Sequence, residues 1–144
     1  MKFTEKDLQK LWRPDKDSSG EDNGQVTIIG GSKLFHGAPM LAVKAASRLV
    51  DMVFFGSPER DLEKVAKLNS FIWIPWEDME EYVAKSEAIL IGPGMMRYRK
   101  NLPEGVFDEA GTETRMLTQY LLGKYKDKKW VTQRLKRQRR NTSV

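Results

Sequence analysis

Residues 25–58 constrain the fold of this 144-residue chain more than any other segment. Val26 to Ile29 is a short, apolar and β-branched run, which is typical of a strand covered on both faces. A glycine turn and a stretch with helical spacing follow it, and Val50 to Phe55 then predicts a second strand. Two strands joined by a helix form a βαβ unit, and such a unit implies a parallel sheet.

The remainder of the chain continues this alternation of apolar runs and helical stripes. Strands are predicted near residues 25–30, 50–55, 71–74, 87–91 and 129–131. Helices are predicted over 4–12, from Pro39 through Leu49, and over 58–68, 77–85 and 112–122. The apolar stripe of the helix that begins at Pro39 is predicted to be Leu41, Ala42, Ala45, Ala46 and Leu49. The apolar stripe of the helix over 112–122 is predicted to be Met116, Leu117, Tyr120 and Leu121. Thr112 is expected to cap that helix and Gly123 to end it. The pattern predicts a doubly wound α/β fold with helices on both faces of a mainly parallel sheet.

Composition excludes several classes of protein. The chain has no Cys, which rules out thiol catalysis, disulfides and thiolate metal sites, and its single His argues against a histidine-based metal cluster. No apolar run reaches the length of a membrane span, and the first residues lack the apolar region of a signal peptide. We therefore expect a cytoplasmic location and no membrane partner.

The net charge of +5 is unevenly distributed. Residues 124–144 hold nine of the 25 basic residues and one of the 20 acidic ones, a net +8, which leaves −3 for residues 1–123. The basic tail has three interpretations: an arm for nucleic acid or an acidic partner, a disordered end, or non-native sequence after a truncation. The abrupt change in composition after Lys129-Trp130-Val131, where a strand begins, favours the third.

Two glycine turns are predicted to meet at one edge of the sheet. Gly30-Gly31-Ser32 follows the first strand and Gly92-Pro93-Gly94 follows the fourth, and parallel strands share their carboxyl edge, where ligands bind in open α/β sheets. The turns could serve only to reverse the chain, or their backbone N–H groups could receive an anion or a polar ligand edge. In either case we expect Ala38 and Gly94 to approach each other across a cleft.

Few other residues suggest chemistry. His36 stands at the mouth of the expected cleft, where it is either a proton-transfer group or simply an exposed loop residue. Asp51 is expected to be structural, the acidic run from Glu77 to Glu81 to form a solvated helix face, and Met95-Met96 to pack. No carboxylate pair is evident at the strand ends.

Several blocks of the sequence together resemble a known family. They are Asn23-Gly24-Gln25-Val26-Thr27-Ile28-Ile29-Gly30-Gly31-Ser32, Phe35-His36-Gly37-Ala38-Pro39, Leu41-Ala42-Val43-Lys44-Ala45-Ala46 and Ala88-Ile89-Leu90-Ile91-Gly92-Pro93-Gly94-Met95, with Glu113-Thr114, Leu117 and Leu121-Leu122 in the helix that follows. Their order and spacing resemble the ATP/ADP-dependent NAD(P)H-hydrate dehydratases, the YjeF C-terminal type of ribokinase-like protein. The resemblance covers about residues 13–131 and implies an incomplete three-layer α/β/α fold.

The resemblance also implies a function. The family repairs hydrated NADH and NADPH: a phosphate of ATP or ADP, with magnesium, activates the ring hydroxyl, which then leaves. Carried over by position, the substrate-binding residues would be Gly30, Gly31, Ser32, His36, Gly37, Ala38, Gly92, Pro93 and Gly94. No metal ligand and no catalytic residue is identified.

The sequence departs from the family pattern at three points. Met96 stands where the family turn usually has another glycine, Thr132-Gln133 follow the last strand where an aspartate-alanine motif is expected, and the later nucleotide-binding residues and catalytic aspartate have no counterpart. We therefore expect residues 1–131 to form a partial ribokinase-like domain, residues 132–144 to be a disordered or non-native tail, and the chain alone to be inactive.

Two alternatives belong to other functional classes. The first is a small-molecule kinase for a vitamin precursor, which shares the fold; the Gly-Ala-Pro and Gly-Pro-Gly blocks favour the dehydratase over it. The second is a non-catalytic α/β module whose basic tail binds nucleic acid, although residues 132–144 lack the aromatic side chains on which single-stranded bases stack. A homo-oligomer is compatible with each of these interpretations.

Overall fold

Five parallel strands form the sheet at the centre of the molecule. The computed structural model describes residues 4–10, 13–62, 64 and 71–132. The strands are β1 (Gln25–Ile29), β2 (Met52–Gly56), β3 (Ile72–Trp73), β4 (Ala88–Ile91) and β5 (Lys129–Thr132). They lie in the order β3-β2-β1-β4-β5, and each neighbouring pair is parallel. All five predicted strands and their parallel arrangement are thus confirmed.

The helices cover both faces of this sheet. They are α1 (Glu5–Leu8), α2 (Gly37–Ala46), α3 (Met79–Lys85) and α4 (Glu109–Lys124), with short 3-10 turns at Arg60–Leu62 and Trp76–Asp78. The predicted helices over 4–12 and 58–68 extend beyond the described residues.

Neighbouring residues of the central strands point to opposite faces and build two cores. Ile29 and Phe54 pack with the α3 residue Val83 and the α4 residue Leu121, whereas Ile28 and Phe55 pack with Val43 of α2. This burial on both faces explains why β1 and β2 read as continuous apolar runs. Of the two polar side chains in β1, Gln25 and Thr27, that of Thr27 is fully buried, and its hydroxyl lies 2.6 Å from the Ser86 hydroxyl.

The predicted apolar stripe of α2 is only partly correct, because Ala42 and Ala46 pack against the core but the two leucines do not. Leu41 and Leu49 are 71% and 82% exposed, while Pro39 and Val43 are buried against the sheet. Pro39, Val43 and Ala46 follow one another at helical spacing and form the face that meets β1 and β2, so of these three only Ala46 was part of the predicted stripe. The larger side chains were therefore a poor guide to the buried face.

The start and the apolar face of α4 also differ from the prediction. The helix begins at Glu109, because the carboxylate of Asp108 accepts a hydrogen bond from the Gly111 N–H at 3.1 Å and caps it. The Asp108 carboxylate also accepts the Arg99 N–H at 2.8 Å, which ties the preceding loop to the cap. Leu121 is buried as expected, but Met116 and Tyr120 are mostly exposed.

Candidate functional site

The turns after β1 and β4 meet at the carboxyl edge of the sheet. The N–H of Gly31 donates to the Pro93 carbonyl at 2.8 Å, and the N–H of Gly92 donates to the Ile29 carbonyl at 3.0 Å. β1 and β4 are adjacent in the sheet and place the two turns side by side. The convergence predicted from the sequence is therefore present.

Backbone approach at this junction leaves no room for a β-carbon. A Cβ at Gly30 would lie 2.4 Å from the Pro93 carbonyl oxygen, and one at Gly94 would lie 2.4 Å from the Phe35 carbonyl oxygen. Gly94 also has φ near +73°, which side-chain-bearing residues rarely adopt. The glycines are needed because main chain packs directly on main chain.

The same hydrogen bonds limit what the first turn can do. Besides the bond from Gly31 to Pro93, the N–H of Gly30 donates to the Gly56 carbonyl at 3.2 Å. Both amides are thus satisfied within the protein and are not directed at a ligand. The geometry therefore agrees with a turn in which these two glycines reverse the chain and allow main chain to approach main chain. It does not agree with binding of an anion by the N–H groups of Gly30 and Gly31.

Two cavities adjoin the junction. The larger, of about 650 Å³, is here called the Trp76 cavity; it is lined by Gly31, Ser32, Lys33, Leu34, Pro58, Glu59, Trp76, Met95, Met96, Ala110, Glu113, Thr114 and Leu117. The second, of about 600 Å³, is called the Arg99 cavity; it is lined by Phe35, Ala38, Gly94, Met95, Met96, Arg97, Tyr98 and Arg99. Met95 and Met96 belong to both linings and divide one cavity from the other.

The nine predicted substrate-binding residues are distributed unequally over these features. Gly31 and Ser32 line the Trp76 cavity, and Ala38 and Gly94 both line the Arg99 cavity, so this pair lies at the same edge of the sheet. Gly30, Gly92 and Pro93 belong to the junction of the two turns. His36 and Gly37 lie at the start of α2.

His36 stands apart from the cavity walls. It is the exposed N-cap residue of α2, and its side chain makes no capping hydrogen bond. It lines neither of the two cavities. The geometry therefore assigns His36 no contact with a ligand held in either cavity, and its proton-transfer role stays a prediction.

Two carboxylates and a tryptophan at the Trp76 cavity were not identified from the sequence. Glu59 and Trp76 follow the carboxyl ends of β2 and β3, so the rule used for the glycine turns could have found them. Glu113 comes from α4, and nothing in its local sequence indicates that α4 crosses this edge. Only Glu59 of these two acids follows a strand, so the expectation that no carboxylate pair lies at the strand ends is not contradicted, but both acids line the Trp76 cavity.

Outside the cavities, the acidic run on α3 is tied to the rest of the fold. Lys124 of α4 makes an ion pair with Glu80, and the Tyr125 hydroxyl donates to the same carboxylate at 3.2 Å. The Lys124 hydrogen bond holds the pKa of Glu80 below its usual value, and Glu80 in turn raises the pKa of Lys124. Asp51 also has the structural role expected of it, since it accepts the side-chain amide of Asn23 at 2.7 Å.

The fold defines the class of protein. A ribokinase-like superfamily protein from Enterococcus faecalis V583 matches with a TM-score of 0.62 and 18% sequence identity; the match covers 83% of this chain and 39% of that one. Together with the parallel sheet and its two helical layers, this match shows a ribokinase-like α/β fold. No family model matches the sequence.

The relatives found by sequence comparison indicate a more specific group of proteins than the structural match does. The chain is 48% identical over 59 residues to the bifunctional NAD(P)H-hydrate repair enzyme Nnr of Methanocaldococcus jannaschii, a match to 41% of this chain. It is 33% identical over 98 residues to the Nnr of Hyperthermus butylicus and 32% identical over 91 residues to that of Methanopyrus kandleri. These matches span 12%, 18% and 18% of the relatives' own lengths. The resemblance to NAD(P)H-hydrate dehydratases is thus confirmed over part of the chain.

Proposed function

We propose that this chain takes part in NAD(P)H-hydrate repair by binding hydrated NADH or NADPH at the carboxyl edge of its sheet. The observation that carries the proposal is the hydrogen-bonded junction of Gly31 and Pro93, with a cavity on either side of Met95–Met96. The relatives that match this chain are all named as repair enzymes of that kind, which favours repair over a vitamin-precursor kinase.

The chain's own contribution would be to bind and orient the substrate. The walls of the Trp76 cavity offer apolar and aromatic surface with a few polar groups, which is the usual character of a small-molecule site. Holding the substrate in a fixed orientation is a large part of catalysis, because positioning can supply roughly 7–11 kcal/mol of a barrier.

The metal implied by the family does not fit the described residues, and the amides of Gly30 and Gly31 offer no site for the phosphates of its nucleotide. Among residues 4–10, 13–62, 64 and 71–132, no group of three His, Asp or Glu side chains could hold a metal ion. The amides of Gly30 and Gly31 are occupied by carbonyl groups and cannot receive phosphate. We therefore assign the substrate to this edge of the sheet and derive no step through ATP, ADP or magnesium.

The proposed location is the cytoplasm, where the reduced cofactors are used. No helix within the described part of the chain is long and apolar enough to cross a membrane. The nucleic-acid alternative depends on the basic tail, and residues 133–144 lie outside the described residues.

The test is a calorimetric titration of the purified chain with hydrated NADH, with intact NADH as the comparison. We expect saturable binding of the hydrated form. A parallel assay with ATP or ADP and magnesium follows the return of absorbance from the reduced nicotinamide, and we expect no turnover by this chain alone. Absence of binding would overturn the proposal. Robust turnover would instead contradict the expected inactivity and direct attention to Glu59, Glu113 and His36.

A further inference from the structure

The outer surface of α2 and the turn after it present an apolar row of side chains to solvent. Leu41, Ala45 and Leu49 follow one another at a spacing of four residues, and all three are exposed, the two leucines by 71% and 82%. This row is here called the α2 ridge. Lys44 and Arg48 form the neighbouring row on the same exposed side of the helix. Apolar side chains gathered on one surface in this way are typical of an interaction site.

The C-terminal end of the α2 ridge is held by main-chain hydrogen bonds. Helix α2 ends at Ala46, but the N–H of Leu49 donates to the Ala46 carbonyl at 2.8 Å, and the N–H of Val50 donates to the same carbonyl at 3.1 Å. These bonds continue the helical turn as far as Val50. A surface that is already ordered loses little conformational entropy when a partner binds to it.

The shape of this surface is that of a helix-packing face. On the other flank of the ridge, Ala42 and Ala46 are half-buried against the core beneath α2. A row that carries leucines beside a row of alanines forms a ridge and a shallow groove, and α-helices pack by fitting such ridges into such grooves. The shape therefore favours another helix as the occupant.

The charge beside the α2 ridge favours an acidic occupant. Residues 32–50 contain three basic residues and no acidic one. Two of the three, Lys44 and Arg48, flank the ridge, and neither forms an ion pair with another residue in the described part of the chain. Complementary charge across an interface accelerates association and discriminates among partners.

Two other occupants fit this surface less well. In a two-fold contact with a second copy, the same patch is used on both molecules, so the basic row of one molecule would be brought close to that of the other. Anionic lipid surfaces are usually recognised by clusters of roughly four to eight basic residues, whereas α2 and its following turn, all of which the structure describes, contribute Lys44 and Arg48 alone.

We propose that the α2 ridge binds an amphipathic, acidic helix of another protein. The apolar residues of that helix pack on Leu41 and Leu49, and its carboxylates lie beside Lys44 and Arg48. This interaction surface is on the side of α2 that faces away from the sheet, and the inference does not depend on the function proposed for the carboxyl edge.

The probes for the test are two fluorescein-labelled model peptides. Both form amphipathic helices with the same leucine positions, and they differ in the residues that flank the leucines: glutamate in the acidic peptide and lysine in the basic one. Binding to the full chain is measured by fluorescence anisotropy. We expect the acidic peptide to bind saturably and the basic peptide to bind at least about tenfold more weakly. Added salt should weaken binding of the acidic peptide, because it screens exposed charges.

Matched variants test the apolar row and the basic row separately. Leu41→Gln removes an apolar side chain from the ridge, and Met116→Gln removes an exposed one from α4, which covers the opposite face of the sheet. We expect Leu41→Gln to weaken binding of the acidic peptide by roughly tenfold or more and Met116→Gln to leave it unchanged. The double substitution Lys44→Glu and Arg48→Glu should reverse the preference in favour of the basic peptide. All four positions are exposed, so the variants should fold, and circular dichroism checks that they do.

Each contrary result would overturn the inference in a recognisable way. If the acidic peptide does not bind, or binds without regard to Leu41→Gln and to the charge reversal, the ridge is not a surface for an acidic helix. If the wild-type chain sediments as a dimer and Leu41→Gln makes it a monomer, the occupant is a second copy. If the chain ignores the acidic peptide but binds vesicles of phosphatidylcholine and phosphatidylserine through Leu41, the occupant is a lipid surface.

Discussion

The N–H of Gly31 donates a 2.8 Å hydrogen bond to the carbonyl of Pro93, and this bond joins the turns that follow β1 and β4. Sixty-two positions separate these two residues along the chain, yet their main chains are in direct contact. The junction lies beside both cavities, because Gly31 lines the Trp76 cavity and Gly94 lines the Arg99 cavity. Its integrity can be tested separately from any question of ligand binding.

Gly30→Ala is expected to destabilise the fold. The new Cβ would lie 2.4 Å from the Pro93 carbonyl oxygen, which belongs to main chain and cannot move aside without disturbing the junction. Overpacking of this kind costs about 1–3 kcal/mol. Urea unfolding measures the loss, and Gly37→Ala is the control, because nothing lies within 4 Å of a Cβ there. Equal stability of the two variants would show that the junction is not tight.

Gly94→Ala compared with Gly105→Ala separates backbone strain from crowding. Both glycines have positive φ, near +73° and +80°, so both substitutions should carry a similar conformational cost of roughly 1–2 kcal/mol. Only at Gly94 would the Cβ also meet a carbonyl oxygen, that of Phe35 at 2.4 Å. We expect Gly94→Ala to lower the free energy of unfolding clearly more than Gly105→Ala. A loss at Gly105 as large as that at Gly94 would contradict the close approach.

Asp108→Ala is expected to loosen the start of α4. The carboxylate accepts the N–H groups of Gly111 and Arg99, and removal of an N-cap acceptor typically costs about 0.5–2 kcal/mol. Thermal unfolding of this variant should be compared with that of Asp127→Ala, which removes an exposed acid from the turn before β5. If the two substitutions lower the unfolding temperature equally, Asp108 is not the cap and the predicted start at Thr112 regains support.

The stabilising effect of Glu80 is expected to depend on pH. Lys124 holds the pKa of Glu80 below its usual value, so the carboxylate stabilises the folded state above the pKa of an unfolded glutamate. That stabilisation is lost as the pH falls through the lower, folded-state pKa. The difference in unfolding free energy between wild type and Glu80→Gln should therefore be present at pH 7 and disappear in acid. A difference that persists at the lowest pH would contradict the sign, and Glu87→Gln controls for loss of an exposed charge.

The sequence predicted the strands better than the helix faces, for a physical reason. A parallel strand buried on both sides is apolar at most positions, so β1 and β2 could be located without knowing which residue faces which helix. A helix buries one face only, and on α2 the large Leu41 pointed to the wrong one while the smaller Val43 met the sheet. The hydrophobicity of single residues therefore did not identify the buried face of α2.

Half of the candidate site followed from the strand-end rule and half required tertiary structure. The junction of Gly31 with Pro93 follows from two parallel strands that share an edge. The arrival of Glu113 at that edge depends on the path of α4 after a long loop, and no local pattern encodes that path. Similarly, Asp108 and Thr112 are both plausible caps one turn apart, and only the hydrogen bonds of Asp108 select between them.

The most direct test of the account is the affinity of hydrated NADH for Ala38→Leu compared with Ala45→Leu. Both alanines are exposed residues of α2, but only Ala38 lines the Arg99 cavity. A leucine there would occupy space that the substrate needs, while one at position 45 would face solvent. We predict that wild type and Ala45→Leu bind hydrated NADH equally and that Ala38→Leu binds it at least about tenfold more weakly, a loss of about 1.4 kcal/mol. Equal binding by all three proteins, or no binding by any of them, would contradict a substrate site at this edge of the sheet.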